Sequence, residues 1–182
     1  MSETPAPSGL RNAELFGIYV NDHLASATGG IELVGRMLGL HRGSPYEEPL
    51  RQLLAELREE KESLRAIMAA MGMGVTQDPQ VGVWVAEKVT RVVKLNGRVL
   101  SRSPLSDLVE FEFLASGVRA KRSGFETLRI VAETEPRLPA AELDRLVDQA
   151  HRQYEWLTRA RREVAATVFG GSAAAADRTP DA

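Results

Sequence analysis

Apolar residues recur every three or four positions along four long segments of this chain. Such spacing keeps one side of an α-helix apolar, so the pattern predicts four amphipathic helices that begin near Asn12, Ser44, Ser103 and Pro139. The apolar stripes are Phe16, Val20, Ala27, Ile31, Val34 and Leu38 in the first helix, Leu53, Leu57, Leu64, Ile67 and Met71 in the second, Leu114, Val118, Phe125 and Leu128 in the third, and Leu143, Val147, Ala150, Tyr154, Leu157, Val164 and Val168 in the fourth. Stripes of this kind predict helices that pack around a shared core.

Glycine, proline and capping residues mark the predicted helix ends. Gly43 follows the first helix, where a left-handed residue favours termination, and His41 is predicted to act as its C-terminal cap. Ser44 to Glu47 has the form of a capping box with proline at the first helical position. Pro49 leaves two alternatives, because the second helix either begins there or loses one backbone hydrogen bond.

The lengths of the connections predict the topology. Short joints near Gly43 and Pro136 make two antiparallel hairpins, and a long crossover connects them, which is the ferritin-like arrangement. We therefore predict an all-α, ferritin-like four-helix bundle over residues 12–169, with disordered tails at residues 1–11 and 170–182. A short fifth helix is expected in the crossover after Asp78. A β-hairpin turning at Asn96-Gly97 is the alternative for residues 89–100.

Composition narrows the classes of function. The 182 residues are 43% hydrophobic and 26% charged with a formal charge of −2, so the basic excess typical of nucleic-acid binding is absent and we expect no nucleic-acid partner. The lack of cysteine excludes disulfides, thiolate zinc sites and cysteine nucleophiles. Neither a secretory signal nor an apolar run of about 18 residues is seen. We therefore expect a cytoplasmic protein without membrane insertion, and the excess of arginine over lysine suggests a bacterial source.

Glycines are frequent in two of the predicted helices. Gly29 and Gly30 lie in the first helix, and Gly117, Ala120 and Gly124 follow helical spacing in the third. Each interior glycine costs about 1 kcal/mol relative to alanine, so a compensating role is expected. We favour tight packing between the small faces of two helices. A kink at Gly29-Gly30 and a binding surface, either a ligand pocket or a dimer seam, are the alternatives.

Four ionisable residues interrupt or flank the apolar stripes: His23, Glu60, Glu110 and His151. Their spacing predicts that each helix directs one of them toward the bundle interior. Ferritin-like di-iron proteins bind metal with inward carboxylates and imidazoles, so these four are the candidate ligands for iron or manganese. A single-metal site built from His23, Glu60 and His151 is a narrower version of the same hypothesis.

The spacing of these residues departs from the di-iron pattern, which places Glu-x-x-His pairs on two helices. Ser63 stands three residues after Glu60, and Asp148 stands three residues before His151, so one Asp-x-x-His pair is the nearest match. We therefore favour a different interpretation, in which the inward residues form a polar cluster that binds no metal.

In that polar cluster, the inward carboxylates of Glu60 and Glu110 are neutralised by Lys121 together with His23. We expect this pairing because a buried charge without a partner of opposite sign lowers the stability of the fold. Such a cluster fixes the register of the helices without performing chemistry.

Three short motifs add a resemblance: Asn21-Asp22-His23-Leu24-Ala25, Trp84-Val85-Ala86-Glu87-Lys88 and Leu95-Asn96-Gly97-Arg98. Together with the order of the helices, they resemble a group of uncharacterised bacterial proteins in the ferritin-like superfamily, over about Asn12 to Phe169. The resemblance implies a ferritin-like bundle and a helix around Trp84. It implies no catalytic residue, because the group carries no known activity.

These features predict a helical-bundle structural or interaction module without an intact di-metal site and without a cofactor. Its partner is expected to be a second copy, forming a homodimer, or another protein. The alternative is a divergent iron- or manganese-dependent oxidoreductase, or a metal-binding protein, that uses His23, Glu60, Glu110 and His151.

Overall fold

The computed structural model describes residues 9–74 and 104–170, which form four helices and contain no strand. Helix α1 spans Ala13–Leu40, α2 spans Glu47–Ala70, α3 spans Pro104–Val131 and α4 spans Ala140–Phe169. The predicted all-α, four-helix architecture is confirmed for these ranges. The predicted fifth helix and the alternative hairpin at residues 89–100 lie outside the described residues, as do residues 1–8 and 171–182 of the predicted tails.

The helices pack as two consecutive pairs. Helix α1 lies against α2 and α3 lies against α4, each pair joined by a short connection, and α1 also contacts α3. None of the helices within the described ranges is long and apolar enough to cross a membrane.

Local chemistry fixes the helix ends. The Asn12 side chain accepts a hydrogen bond from the Leu15 backbone N–H at 3.0 Å and caps α1, while Gly43 adopts a φ of 74° after the helix ends. Helix α2 begins at Glu47, later than the predicted capping box, and the Glu47 carboxylate accepts from the Gly43 N–H at 2.6 Å. This start places Pro49 in the first turn of α2. Backbone N–H groups there have no intrahelical acceptor, so the missing N–H of proline costs little.

The core comprises two apolar clusters near opposite ends of the bundle. One includes Leu33, Val34, Met37, Leu50, Leu53, Phe111, Leu114, Leu157 and Ala160, and the other includes Val20, Leu24, Leu64, Ile67, Phe125, Leu128, Leu143 and Leu146. The buried Glu60 on α2 and the buried Gln153 on α4 lie between these clusters along the sequence of each helix. The middle of the bundle is therefore the place where its chemistry differs from ordinary apolar packing.

Glu135, in the turn between α3 and α4, connects this turn to Gly9 near the start of the described residues. Its carboxylate, only 1% exposed, accepts from the Gly9 N–H at 3.0 Å and from the Arg137 guanidinium at 2.8 Å. A β-carbon on Gly9 would collide with the Thr134 carbonyl oxygen, so this close approach requires glycine. Leu10 packs against the neighbouring apolar cluster. Part of the predicted tail at residues 1–11 therefore contacts the bundle.

This contact predicts a dependence of stability on pH. The hydrogen bonds from Arg137, together with those from backbone N–H groups, lower the pKa of Glu135 from 4.5 to about 2. Because the folded-state pKa is the lower one, the carboxylate stabilises the fold above about pH 4.5, and this stabilisation is lost as the pH falls toward 2. Glu135→Gln is expected to lower the free energy of unfolding by about 1–3 kcal/mol at pH 7, measured in urea. The difference from wild type should shrink at pH 3, and an equal difference at both pH values would contradict this assignment.

Candidate functional site

Four polar residues from three helices meet in the middle of the bundle, and we call them the Glu60 cluster: Glu60, Lys121, Gln149 and Gln153. Glu60 on α2 is only 3% exposed, and its Oε2 accepts a hydrogen bond from the Lys121 ammonium on α3. On α4, the Gln149 and Gln153 side-chain amides donate to Glu60 Oε1 at 3.0 and 2.8 Å. Lys121 also donates to Gln153 Oε1 at 2.5 Å. Both oxygens of the buried carboxylate are therefore occupied by donors.

Helical spacing explains how the cluster is assembled. Gln149 and Gln153 are four residues apart, so they project from the same side of α4 toward Glu60. The Gln153 amide also donates to Glu56 at 2.7 Å, one turn before Glu60 on α2, and Arg145 donates to Gln149 at 2.8 Å. These bonds extend the buried cluster to the bundle surface.

The Glu60 cluster is electrostatically balanced. Burial lowers the pKa of the Lys121 ammonium, while the facing Glu60 carboxylate favours the charged form and opposes that shift. A buried ion pair is stable only when further hydrogen bonds satisfy its polar atoms, which is what the two glutamines supply here. The predicted pairing of Lys121 with Glu60 is confirmed.

The other predicted ligands lie elsewhere. Glu110 faces Arg36 of α1 at 3.2 Å, and His151 is half exposed and lies 3.3 Å from Glu155 on the same helix. The prediction that Lys121 and His23 neutralise Glu110 is therefore wrong, because an arginine of the first helix occupies that role. Within residues 9–74 and 104–170, no group of three or more histidine, aspartate or glutamate side chains is placed to hold a metal ion.

His41 lies at the C-terminal end of α1 as predicted. Its backbone N–H donates to the Met37 carbonyl oxygen at 2.9 Å, and its ring is buried against Tyr46 and Phe111. The ring Nε2 lies 3.7 Å from a carboxylate oxygen of Asp107 at the start of α3. The residue therefore joins the α1–α2 turn to the second helix pair.

A cavity of about 300 Å³ lies beside the Glu60 cluster, between α1, α2 and α3. Its polar wall includes His23, Glu60 and Lys121. Its small residues are Ala27, Gly29 and Gly30 on α1, and Gly117, Ala120 and Gly124 on α3. The glycine-rich parts of α1 and α3 thus lie on opposite walls of this cavity.

The prediction that these glycines allow tight helix packing is wrong for most of α1 and α3. A β-carbon built on Gly30, Gly35 or Gly117 would meet no other heavy atom of the described residues within 4 Å. At Gly124, in contrast, it would lie 2.5–2.9 Å from three atoms of the His23 ring. Gly124 therefore makes room for an imidazole, while Gly30 and Gly117 leave space in the cavity.

No family model, curated protein or solved structure matches this chain. The resemblance to the ferritin-like superfamily therefore stays a prediction, and the role of these residues must be inferred from their own contacts.

Gln149 and Gln153 are the site residues that hydropathy did not predict. The buried side of α4 includes Leu146, Gln149 and Gln153, whereas Val147 and Tyr154 of the predicted stripe are only half-buried. Leu146, Gln149, Gln153 and Leu157 follow one another at steps of three or four residues, which is the spacing of one helix face. A search for apolar positions does not select the two glutamines, because glutamine is usually exposed.

Proposed function

We propose that this chain is a ferritin-like helical-bundle module with a structural or interaction role, in which a lysine ammonium balances the interior negative charge. The observation that carries the proposal is the contact of Lys121 with both Glu60 and Gln153. In a di-iron bundle, metal ions neutralise the inward carboxylates. Here the chain supplies that positive charge from its own third helix.

The hydrogen bonds of the cluster support a role in helix register. Glu60 accepts from α3 and α4 together. A shift of α3 by one turn would take the Lys121 ammonium away from the buried carboxylate, and a shift of α4 would displace at least one of the two glutamine donors, so either shift would be costly. Exposed apolar side chains on α1, with Leu15 62% and Ile18 53% exposed, support an interaction surface. A second copy or another protein is the proposed partner, and the cytoplasm is the proposed location.

Metal content tests this proposal directly. The 182-residue chain, produced with iron and manganese in the medium and purified without chelators, is expected to hold neither metal stoichiometrically by elemental analysis. Added Mn²⁺ should leave the melting temperature unchanged, because a ligand stabilises a protein only when it binds the folded state.

A matched pair of variants separates the alternatives. Glu60→Gln removes the buried carboxylate, and Glu59→Gln makes the same change at the exposed neighbouring position of α2. Stoichiometric iron or manganese that disappears in Glu60→Gln but persists in Glu59→Gln would overturn the module and support the metal-dependent oxidoreductase or metal-binding protein.

A further inference from the structure

We infer that the cavity between α1, α2 and α3 binds a neutral, largely apolar small molecule that has one hydrogen-bonding group directed at His23. The cavity shares Glu60 and Lys121 with the Glu60 cluster, but binding of a small molecule there goes beyond the proposed structural role and requires no metal. The size of the cavity, the lack of local packing around its glycines and the chemistry of its polar wall each bear on the inference.

The cavity has the size of a small-ligand site. Its volume of about 300 Å³ lies at the lower end of the range for ligand pockets. An apolar cavity of about 150 Å³ is large enough to bind benzene, so this one accommodates a two-ring molecule. Phe113, Leu114 and Phe125 form part of the wall, so most of a bound molecule would contact apolar side chains.

The glycines of the two facing helices keep this space open. Gly30 and Gly117 both line the cavity, and a β-carbon at either position would have no neighbour within 4 Å among residues 9–74 and 104–170. Glycine is unfavourable inside a helix, and no close approach of another described helix explains its presence. A bound molecule would supply contacts that the described residues do not make.

The polar wall defines the chemistry of the ligand. Glu60 and Lys121 already neutralise each other, and among the described residues Lys61, whose ammonium donates to the Thr28 hydroxyl at 2.8 Å, is the one further charged residue of the wall. Because the rest of the wall is apolar or uncharged, burial there favours a neutral ligand over a charged one. His23 differs, because among the described residues its ring nitrogens have no hydrogen-bond partner and its ring contacts Tyr19 edge-on. Burial lowers the pKa of His23, which favours the neutral imidazole. A neutral imidazole offers one donor and one acceptor to a ligand.

Two probes of equal size test the inference by isothermal titration calorimetry with the 182-residue chain. Indole and indene have the same ring outline, but only indole carries an N–H donor. We expect both to bind saturably at one site, and we expect indole to bind about two- to ten-fold more tightly, the effect of one net hydrogen bond.

Two glycine variants locate the site. Gly30→Leu places a side chain in the cavity and is expected to weaken indole binding by at least about ten-fold through steric overlap. Gly35→Leu is the matched control, because it lies on the same helix with equal space for a β-carbon but does not line the cavity. Both changes improve helix propensity, so melting temperatures at or above that of wild type would show that each variant folds.

His23→Phe tests the polar end of the site by removing the ring nitrogens and is expected to abolish the preference for indole over indene. The inference is overturned if neither probe binds saturably to the wild-type chain, or if Gly30→Leu and Gly35→Leu weaken binding equally. A preference for indole that persists in His23→Phe would overturn the assignment of His23.

Discussion

Lys121→Met is expected to lower the free energy of unfolding by about 3–5 kcal/mol, since it removes one partner of a buried ion pair. The substitution keeps a long, unbranched side chain and deletes the ammonium that contacts Glu60 and Gln153. The carboxylate of Glu60, 3% exposed, would then retain only the two glutamine amides as donors. Urea unfolding followed by circular dichroism measures the loss.

A double variant distinguishes the cost of an unpaired charge from lost packing. Lys121→Met combined with Glu60→Gln removes both charges and should recover at least half of the lost stability, because neutral groups are less costly to bury. Lys61→Met is the matched control, since the Lys61 ammonium donates to the Thr28 hydroxyl and contacts no carboxylate within residues 9–74 and 104–170. Its loss should cost less than about 1 kcal/mol. Equal losses in the single and double variants would show that the cost does not come from leaving the Glu60 carboxylate unpaired.

The helix boundaries follow from the sequence because the signals that set them are local. Asn12 caps α1, and Gly43 adopts the left-handed conformation that its position predicts. The start of α2 was less certain because two signals competed there. The structure starts α2 at Glu47 after Tyr46, which makes no side-chain capping bond, so the predicted capping box does not form with Ser44 as its cap. The Glu47 carboxylate still accepts a hydrogen bond from the Gly43 N–H, and the later start places Pro49 in the first turn, where it is tolerated.

The interior chemistry was harder to predict because it depends on which side of each helix faces the core. Glu60 and Lys121 lie on apolar stripes, and their pairing could be expected from opposite charge. The apolar stripe predicted for α4 lies partly beside the side of the helix that is buried in the structure. His151 was therefore predicted to face the interior, but its side chain is 49% exposed. The buried polar residues of that helix are Gln149 and Gln153, which a search for apolar positions passes over.

The glycines show a second limit of periodicity. Spacing predicts that Gly30, Gly117 and Gly124 face a neighbouring helix, but it cannot give the distance to that helix. A close neighbour and an open cavity produce the same pattern along the chain. The structure separates them, because among the described residues only a β-carbon on Gly124, of these three positions, would contact a side chain, that of His23.

Phe111 joins the two helix pairs at the end of the bundle that holds the α1–α2 turn. Its ring lies on α3 with 0% exposure, and its centroid is 5.6 Å from that of His41 and 5.2 Å from that of Tyr46. On the other side it meets Trp156 of α4 at 6.1 Å. Edge-on aromatic pairs add stabilisation beyond the area they bury, so this residue contributes more than its size alone suggests.

Phe111→Ala is therefore expected to lower the free energy of unfolding by about 3–5 kcal/mol. Phe169→Ala serves as a control for loss of the same side chain, since Phe169 is 70% exposed at the end of α4, and it should change stability by no more than about 0.5 kcal/mol. The midpoint of urea unfolding should fall for Phe111→Ala with an unchanged slope, because α1–α2 and α3–α4 would still unfold together. A loss below about 1 kcal/mol, or two separate transitions in the wild-type protein, would show that the two pairs do not depend on this contact.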